Sequence, residues 1–236
     1  MTDLPAVPSS PARRTRRPAV GAERAFRKPS GVVPWPVVLL AGGPKSETAR
    51  AAAMASASDR VDRTFWLSWK ERTPDALASI AGARFEIVVH DGRLDDFEAA
   101  IAAVVGIGRA KGGRPHLLVI DGVSQLWESV KDWGTANAVA SSSGSFWYAV
   151  NDRWSEFVTV LRKHDGPVLL IGRRDGDAVM GQKDLAADVD VLVEFDDDEK
   201  VSATGTRYEP PIRSRWMPDE FTVEGLWDLL NLGSAK

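Results

Sequence analysis

The chain has 236 residues, no cysteine, 44% hydrophobic and 27% charged residues, and a formal net charge of −3. That length and balance suit one α/β domain with a substantial core, and the absence of cysteine excludes disulfides, thiolate metal sites and cysteine nucleophiles. No apolar run approaches the ~20 residues of a membrane-crossing helix, and the N-terminus lacks the apolar stretch of a secretory signal, so a cytoplasmic protein without membrane contact is expected.

The charge is unevenly distributed. Seven basic residues (Arg13, Arg14, Arg16, Arg17, Arg24, Arg27, Lys28) against Asp3 and Glu23 give residues 1–30 a net +5, which leaves −8 on the remainder. This stretch is rich in Pro, Ser, Ala and Arg and has no apolar periodicity, so it cannot offset the entropy of ordering. It reads as a disordered basic arm, able either to touch nucleic acid or merely to solubilise the chain. Residues 31–207 read as the core and 208–236 as a C-terminal extension with a docking helix.

Trp35, between Pro34 and Pro36, is expected to cover the core or stack on a ligand. Val37 to Leu40 form a continuous apolar run, the pattern of a strand buried on both faces. Gly42, Gly43 and Pro44 break it, and an alanine-rich helix is expected over about 45–57. Thr64 to Trp69 form a second strand, ending in Lys70, Glu71 and Arg72. Thr73 and Pro74 open a short helix to about Ile80, and Phe85 to Val89 form a third strand. Leu94, Phe97, Ile101, Val104 and Val105 recur at helical spacing.

A fourth strand, His116 to Ile120, carries Asp121 at its end, followed by a helix over about 123–133. A loop through Ser141–Ser145 precedes a longer helix, about 147–164, with Trp154, Phe157, Val158 and Leu161 on one face. Pro167 to Ile171 is a fifth strand, leading into a Gly172–Asp177 loop, and Val189 to Phe195 a sixth. Residues 200–207 are expected to add an antiparallel edge strand. A proline-rich crossing (Pro210, Pro211, Pro218) and a helix over about 222–230, with Leu226, Trp227 and Leu230 docked on the core, complete the chain.

Strands alternating with helices imply βαβ units, and so a mostly parallel sheet with helices on both faces. Ligands of such sheets bind beyond the carboxyl ends of the strands, where Gly42, Gly43, Lys45, Ser46, Thr48, Glu71, Asp91, Asp121, Arg173 and Arg174 collect. Strand, glycine turn and helix are the grammar of a phosphate-binding loop, in which backbone N–H groups and the helix dipole converge on an anion. The full motif Gly-x-x-x-x-Gly-Lys-Ser/Thr is not met. Counted from Gly42, its later positions fall on Glu47, Thr48 and Ala49, so the loop reads as rearranged, with Lys45 and Ser46 as its Lys-Ser pair.

Asp121, ending an apolar strand, suits an aspartate that holds the water shell of a nucleotide-bound Mg²⁺. Glu71 can orient or deprotonate an attacking water, or be a solvated surface charge. Arg173, Arg174 and Lys183 can read phosphate charge, or pair with the acidic body. His90, His116 and His164 are far apart in sequence, which favours strand-end or surface roles over a metal site.

The ordered series Val-Val-Leu-Leu-Ala-Gly (37–42), Lys-Ser then Ala-Arg-Ala-Ala-Ala (45–53), Phe-Trp-Leu-Ser-Trp-Lys-Glu (65–71), Leu-Val-Ile-Asp-Gly-Val-Ser-Gln-Leu-Trp (118–127), Asn-Asp-Arg-Trp (151–154), Gly-Pro-Val-Leu-Leu-Ile-Gly-Arg-Arg (166–174) and Gln-Lys-Asp-Leu (182–185) resembles the RecA-like AAA-type P-loop ATPases of actinobacteriophages, related to ATPases that act with single-strand annealing and recombination. The resemblance implies a RecA-type core that binds ATP and Mg²⁺, self-assembly into rings or filaments, contact with single-stranded DNA in phage recombination or replication inside a bacterial host, and a phage recombination partner protein. It implies Gly42, Gly43, Lys45, Ser46 and Thr48 as the nucleotide-binding loop and Asp121 as the metal-associated aspartate. Glu71 would be the water-activating glutamate, with Lys183 or Arg173 donating charge to the phosphates. Where that family reads Lys-Ser-Gly-Lys-Thr, this chain reads Lys-Ser-Glu-Thr-Ala, with a carboxylate where phosphate should lie. A rival expectation is therefore a pseudo-ATPase kept as a DNA-binding or assembly module. A small-molecule kinase is a third reading, disfavoured by the missing loop lysine and arginine-bearing lid.

Overall fold

A computed structural model describes residues 34–43, 47–71, 73–109, 112–137, 143–176, 178–196, 200–205 and 211–232. The fold is built on β1 (Val37–Gly42), buried along its whole length between two parallel partners, β5 (Val168–Asp175) and β7 (Val191–Phe195). Side chains alternate across a strand, so Leu39 and Ala41 face one core layer and Val38 and Leu40 the other. A strand covered on both faces must be apolar at every position, which accounts for the unbroken run at 37–41.

Beyond β5 lie β4 (Leu117–Asp121), β2 (Thr64–Ser68) and the two-residue β3 (Glu86–Ile87), all parallel. Beyond β7 the sheet turns antiparallel through β8 (Val201–Gly205) and β9 (Ile212–Trp216). A short β6 (Ala178–Val179) folds back on the end of β5.

One face is covered by α2 (Leu94–Val105), α3 (Val123–Asn137) and α4 (Ser143–Leu161), which contribute Phe97, Ile101, Leu126, Trp127, Trp154 and Phe157 to its core. The aromatic helix face expected at Trp154, Phe157, Val158 and Leu161 is buried in that layer. The other face is covered by α1 (Thr48–Ala55) and α6 (Val223–Leu229), through Ala51, Ala52, Ala53, Ala55, Leu226 and Trp227. The small side chains of α1 let the helix lie close to the sheet. Thr222 caps α6, its hydroxyl accepting from Gly225 N at 2.9 Å. Trp35 packs edge-on against Trp227 at 5.6 Å, so it covers the core.

Several expectations are corrected. The stretch after Ile171 is not a loop: β5 continues to Asp175, because Gly42 pairs with Arg173 on one side and β6 pairs with Arg174 on the other. Helix α4 begins at Ser143, inside the serine-rich stretch read as a loop. The short helix expected from Thr73 to about Ile80 is present, as a 3₁₀ helix over Pro74–Ser79. The third strand shrinks to Glu86–Ile87, since only those residues reach Phe65 and Trp66. The stretch between Pro211 and Pro218 is not a crossing but β9, which makes β9 rather than β8 the edge strand. Residues 1–30, Lys45 and Ser46 lie outside the described residues.

Candidate active site

The carboxyl ends of β1, β2, β4 and β5 open into a cleft of about 590 Å³, lined by Gly42, Gly43, Thr48, Glu71, Asp121, Gln125, Arg173 and Arg174 among others. Its volume lies in the range of small-molecule sites.

The β2 and β4 ends are bound together. Ser68 is in register with Asp121, and Trp69 N donates to the Asp121 carbonyl at 2.7 Å. The buried Trp69 indole donates to Ser129 Oγ at 3.0 Å and packs against Phe97 and His90. The chain then enters the left-handed region at Lys70, with φ of 53°. A non-glycine residue there is strained, and such strain collects at functional sites. The turn delivers Glu71 into the cleft, where its Oε1 accepts from Arg173 Nη2 at 2.7 Å and from Gln125 Nε2.

Gly122 allows this convergence. Its φ is +93°, and a Cβ there would strike the Trp69 carbonyl oxygen and lie 3.1 Å from Glu71 Cγ. After it, α3 begins at once, and its first turn carries Ser124 and Gln125 toward the cleft. Ser124 Oγ donates to the Met180 carbonyl at 2.6 Å and accepts from Arg173 N at 2.9 Å, tying α3 to the β5–β6 hairpin. Gln125 Oε1 is buried with no partner. Contact with the Glu71 carboxylate fixes the amide orientation, because the reverse would set oxygen against oxygen.

The Asp121 carboxyl is half-buried. Burial chiefly, and the negative charge of Glu71 second, push its pKa up to about 7, against the opposing pull of Arg173 and the Gly122 N–H. A carboxyl so poised gains from a cation more than a solvated one does.

No protein-family model matches the chain, and no curated protein matches it. Solved structures do. An ATPase from the type III secretion system of pathogenic bacteria aligns with a TM-score of 0.52 at 15% identity, covering 69% of this chain and 51% of that one. The chain has a RecA-like α/β fold. It spans about half the length of that secretion ATPase. Weaker likenesses are a RadB recombinase (TM-score 0.47, 12% identity, 77% of this chain and 86% of that) and a KaiC-like protein of Pyrococcus horikoshii (TM-score 0.47, 16% identity, 77% and 83%).

Within this RecA-like core, Gly42, Gly43, Thr48, Glu71, Asp121 and Arg173 share one cleft. Arg174 also lines it, but its Nε lies 3.6 Å from Glu194 and its Nη1 donates to the Phe195 carbonyl at 3.2 Å. Lys183 is exposed and does not line the cleft. Glu47 stands at the N-cap of α1 without a side-chain cap bond, in an exposed pair with Arg50 at 3.2 Å. Asp91 lies away, its carboxylate accepting from Arg93 N.

The histidines are structural: His90 Nε2 contacts the Ser68 carbonyl and His164 Nε2 the His116 carbonyl, each at 2.9 Å. Burial lowers the His164 pKa. Among the described residues no group of three or more His, Asp or Glu is disposed to hold a metal ion. One desolvated carboxyl, with a second carboxylate and a threonine hydroxyl on the same cleft, still fits Mg²⁺, which keeps most of its waters and takes its other ligands from phosphate.

Sequence reasoning assigned no role to Gln125 or Ser124. The available signal was position: both fall in the first helical turn after a strand ending in aspartate.

Proposed function

We propose that the chain is a RecA-like nucleotide-binding protein that takes ATP with Mg²⁺ in this cleft and acts on DNA in phage-type recombination or replication. The observation that carries the reading is the convergence of Asp121, Glu71 and Arg173 on a cleft that begins at the Gly42–Gly43 turn and the start of α1. A half-buried carboxyl raised in pKa beside a second carboxylate is the kind of perturbed group that collects at functional sites.

In this reading the backbone after Gly42, with Lys45 and Ser46, cradles the phosphates, and Thr48 closes that side. Asp121 and the Thr48 hydroxyl would hold Mg²⁺ through its water shell, and the ion would neutralise charge on the phosphate oxygens. Glu71, steadied by Gln125, accepts a proton from or orients a water for attack on the terminal phosphate. Arg173 stabilises phosphate charge within the same chain. The exposed Lys183 is available to the cleft of a neighbouring copy in a ring or filament. The net +5 of residues 1–30 supports contact with single-stranded DNA through its phosphates. A phage recombination partner and a bacterial cytoplasm belong to the same proposal.

One observation favours the pseudo-ATPase reading: Glu47 sets a carboxylate at the N-terminus of α1, where an anion would otherwise be favoured. Calorimetric titration with ATP and Mg²⁺ separates the two. The enzyme reading expects binding by the wild type that Asp121→Ala and Lys45→Ala abolish. No heat from the wild type at millimolar ATP leaves an assembly or DNA-binding module.

A further inference from the structure

Strand β9 ends the sheet on its antiparallel side. It pairs with β8 alone, so one row of its backbone N–H and C=O groups points outward, a template for a further strand. Pro211 and Pro218 bracket it and limit that template to a single short strand. Its faces differ. Ile212 and Trp216 turn to the layer beneath α6, where Trp216 packs on Phe221 at 5.3 Å. Arg213 and Arg215 alternate with them and project from the opposite face, in register with Thr204 and Ser202 of β8.

Both arginines are exposed, and neither side chain has a hydrogen bond or an ion pair among the described residues. By contrast Arg109, Arg114, Arg153, Arg162, Arg173 and Arg174 each meet a carboxylate of the chain. Glu194, the acidic residue in the row of Ser202 and Arg215, is taken by Arg174. A symmetric pair of β9 strands cannot supply the missing counter-charge. Antiparallel pairing that keeps both cores on one side, centred on Arg213, Ser214 or Arg215, sets arginine opposite arginine, which is destabilising. An acidic strand can supply it: carboxylates at alternate positions would meet Arg213 and Arg215, and apolar side chains between them would extend the layer of Ile212 and Trp216. Charge and proline also shield a sheet edge from chance pairing. Here shielding and choice of partner are one property, because the pattern that refuses like-charged and wholly apolar strands accepts an acidic one.

We propose that the β9 edge docks an extended segment of a partner protein in which carboxylates alternate with apolar side chains, bound as the next strand of the sheet. The edge lies beyond β7 and β8 from β1, and docking is independent of whether the cleft holds nucleotide.

The test uses the full chain and a fluorescent peptide of alternating valine and glutamate as long as β9, followed by anisotropy and by hydrogen exchange over residues 212–216. The same peptide N-methylated along its backbone, and a valine-lysine counterpart, are the controls. The valine-glutamate peptide is expected to bind and to slow exchange at 212–216. Arg213→Ser combined with Arg215→Ser weakens it about five-fold, the scale of cross-strand charge pairs, and Arg213→Glu combined with Arg215→Glu turns the preference to the lysine peptide. The N-methylated peptide, equal in charge, gives no protection at 212–216. Protection that survives N-methylation overturns the proposal, as does binding that ignores the arginine substitutions, which reports attraction to charge elsewhere, such as residues 1–30. A wild type that binds no peptide overturns it too. Self-association through 212–216 that the serine variants abolish makes the occupant a second copy, and the same protection by oligodeoxythymidylate makes the face a phosphate surface; either result also overturns it.

Discussion

On the β4 side of the cleft Glu71 and the backbone of Arg173 are held by side chains of α3, whereas on the β1 side the glutamate at the start of α1 is exposed and makes no side-chain cap bond. Glu71 is fixed by Arg173 and Gln125, Arg173 by Ser124, and the strand ends by Trp69 and Ser129. The contrast teaches where this chain invests in rigidity. Glu71 is located by the folded scaffold, while Glu47 at the start of α1 is tied only to Arg50, on its own helix.

The comparison breaks most readily at Trp69. Replacing this buried indole by alanine removes the packing on Phe97 and His90 and the bond to Ser129, and should cost about 3–5 kcal/mol in denaturant unfolding. Next comes Gly122→Ala, which combines a strained φ with a clash against the Trp69 carbonyl and should cost about 2–3 kcal/mol. A loss under about 0.5 kcal/mol would show that the β4 side is looser than its contacts imply.

Asp121 sharpens the comparison through pH. Its folded pKa, about 7, lies above the unfolded value of 3.8, so between those limits the folded state holds a proton that the unfolded state lacks. Stability contributed by the neutral carboxyl is present at low pH and is lost as pH rises through about 7. Unfolding free energy should fall by on the order of 2 kcal/mol from about pH 5 to about pH 8, and by much less in Asp121→Asn, which should be the more stable protein at the upper end. Identical pH profiles for the two proteins would remove the burial argument. Arg50→Ala, on the β1 side, breaks only an exposed pair with Glu47 and should change stability by less than about 0.5 kcal/mol in the same assay.

Much of this layout is legible in the sequence, for an identifiable reason. Strands β1, β2, β4 and β5 are buried on both faces or nearly so, and their apolar runs at 37–41, 65–67, 117–120 and 168–171 show it directly. The antiparallel edge is harder. Strand β9 reads Ile-Arg-Ser-Arg-Trp between prolines, and only its pairing with β8 makes it a strand. The extension of β5 through Arg173 and Arg174 was hidden because glycine and charge signal a loop, while Gly42 and β6 supply the hydrogen bonds of a sheet. At the site, Asp121 and Glu71 are visible as strand-end carboxylates. The engagement of Glu71 by Gln125 and Arg173 is not, because it depends on the left-handed turn at Lys70 and the bare backbone of Gly122, which no spacing rule encodes.

The position of β1 has a consequence for how the chain reaches this state. The first strand of the core finds both partners late: Val37 N is bonded to the Asp190 carboxylate, 153 residues further on, and the strands at its two sides begin at Val168 and Val191. Contacts of such separation must close long loops before they return any energy, which slows folding. During synthesis β1 therefore emerges well before either of its partner strands and stays unpaired until β5 and β7 have left the ribosome, an interval in which a holding chaperone would matter more than it does for the finished protein.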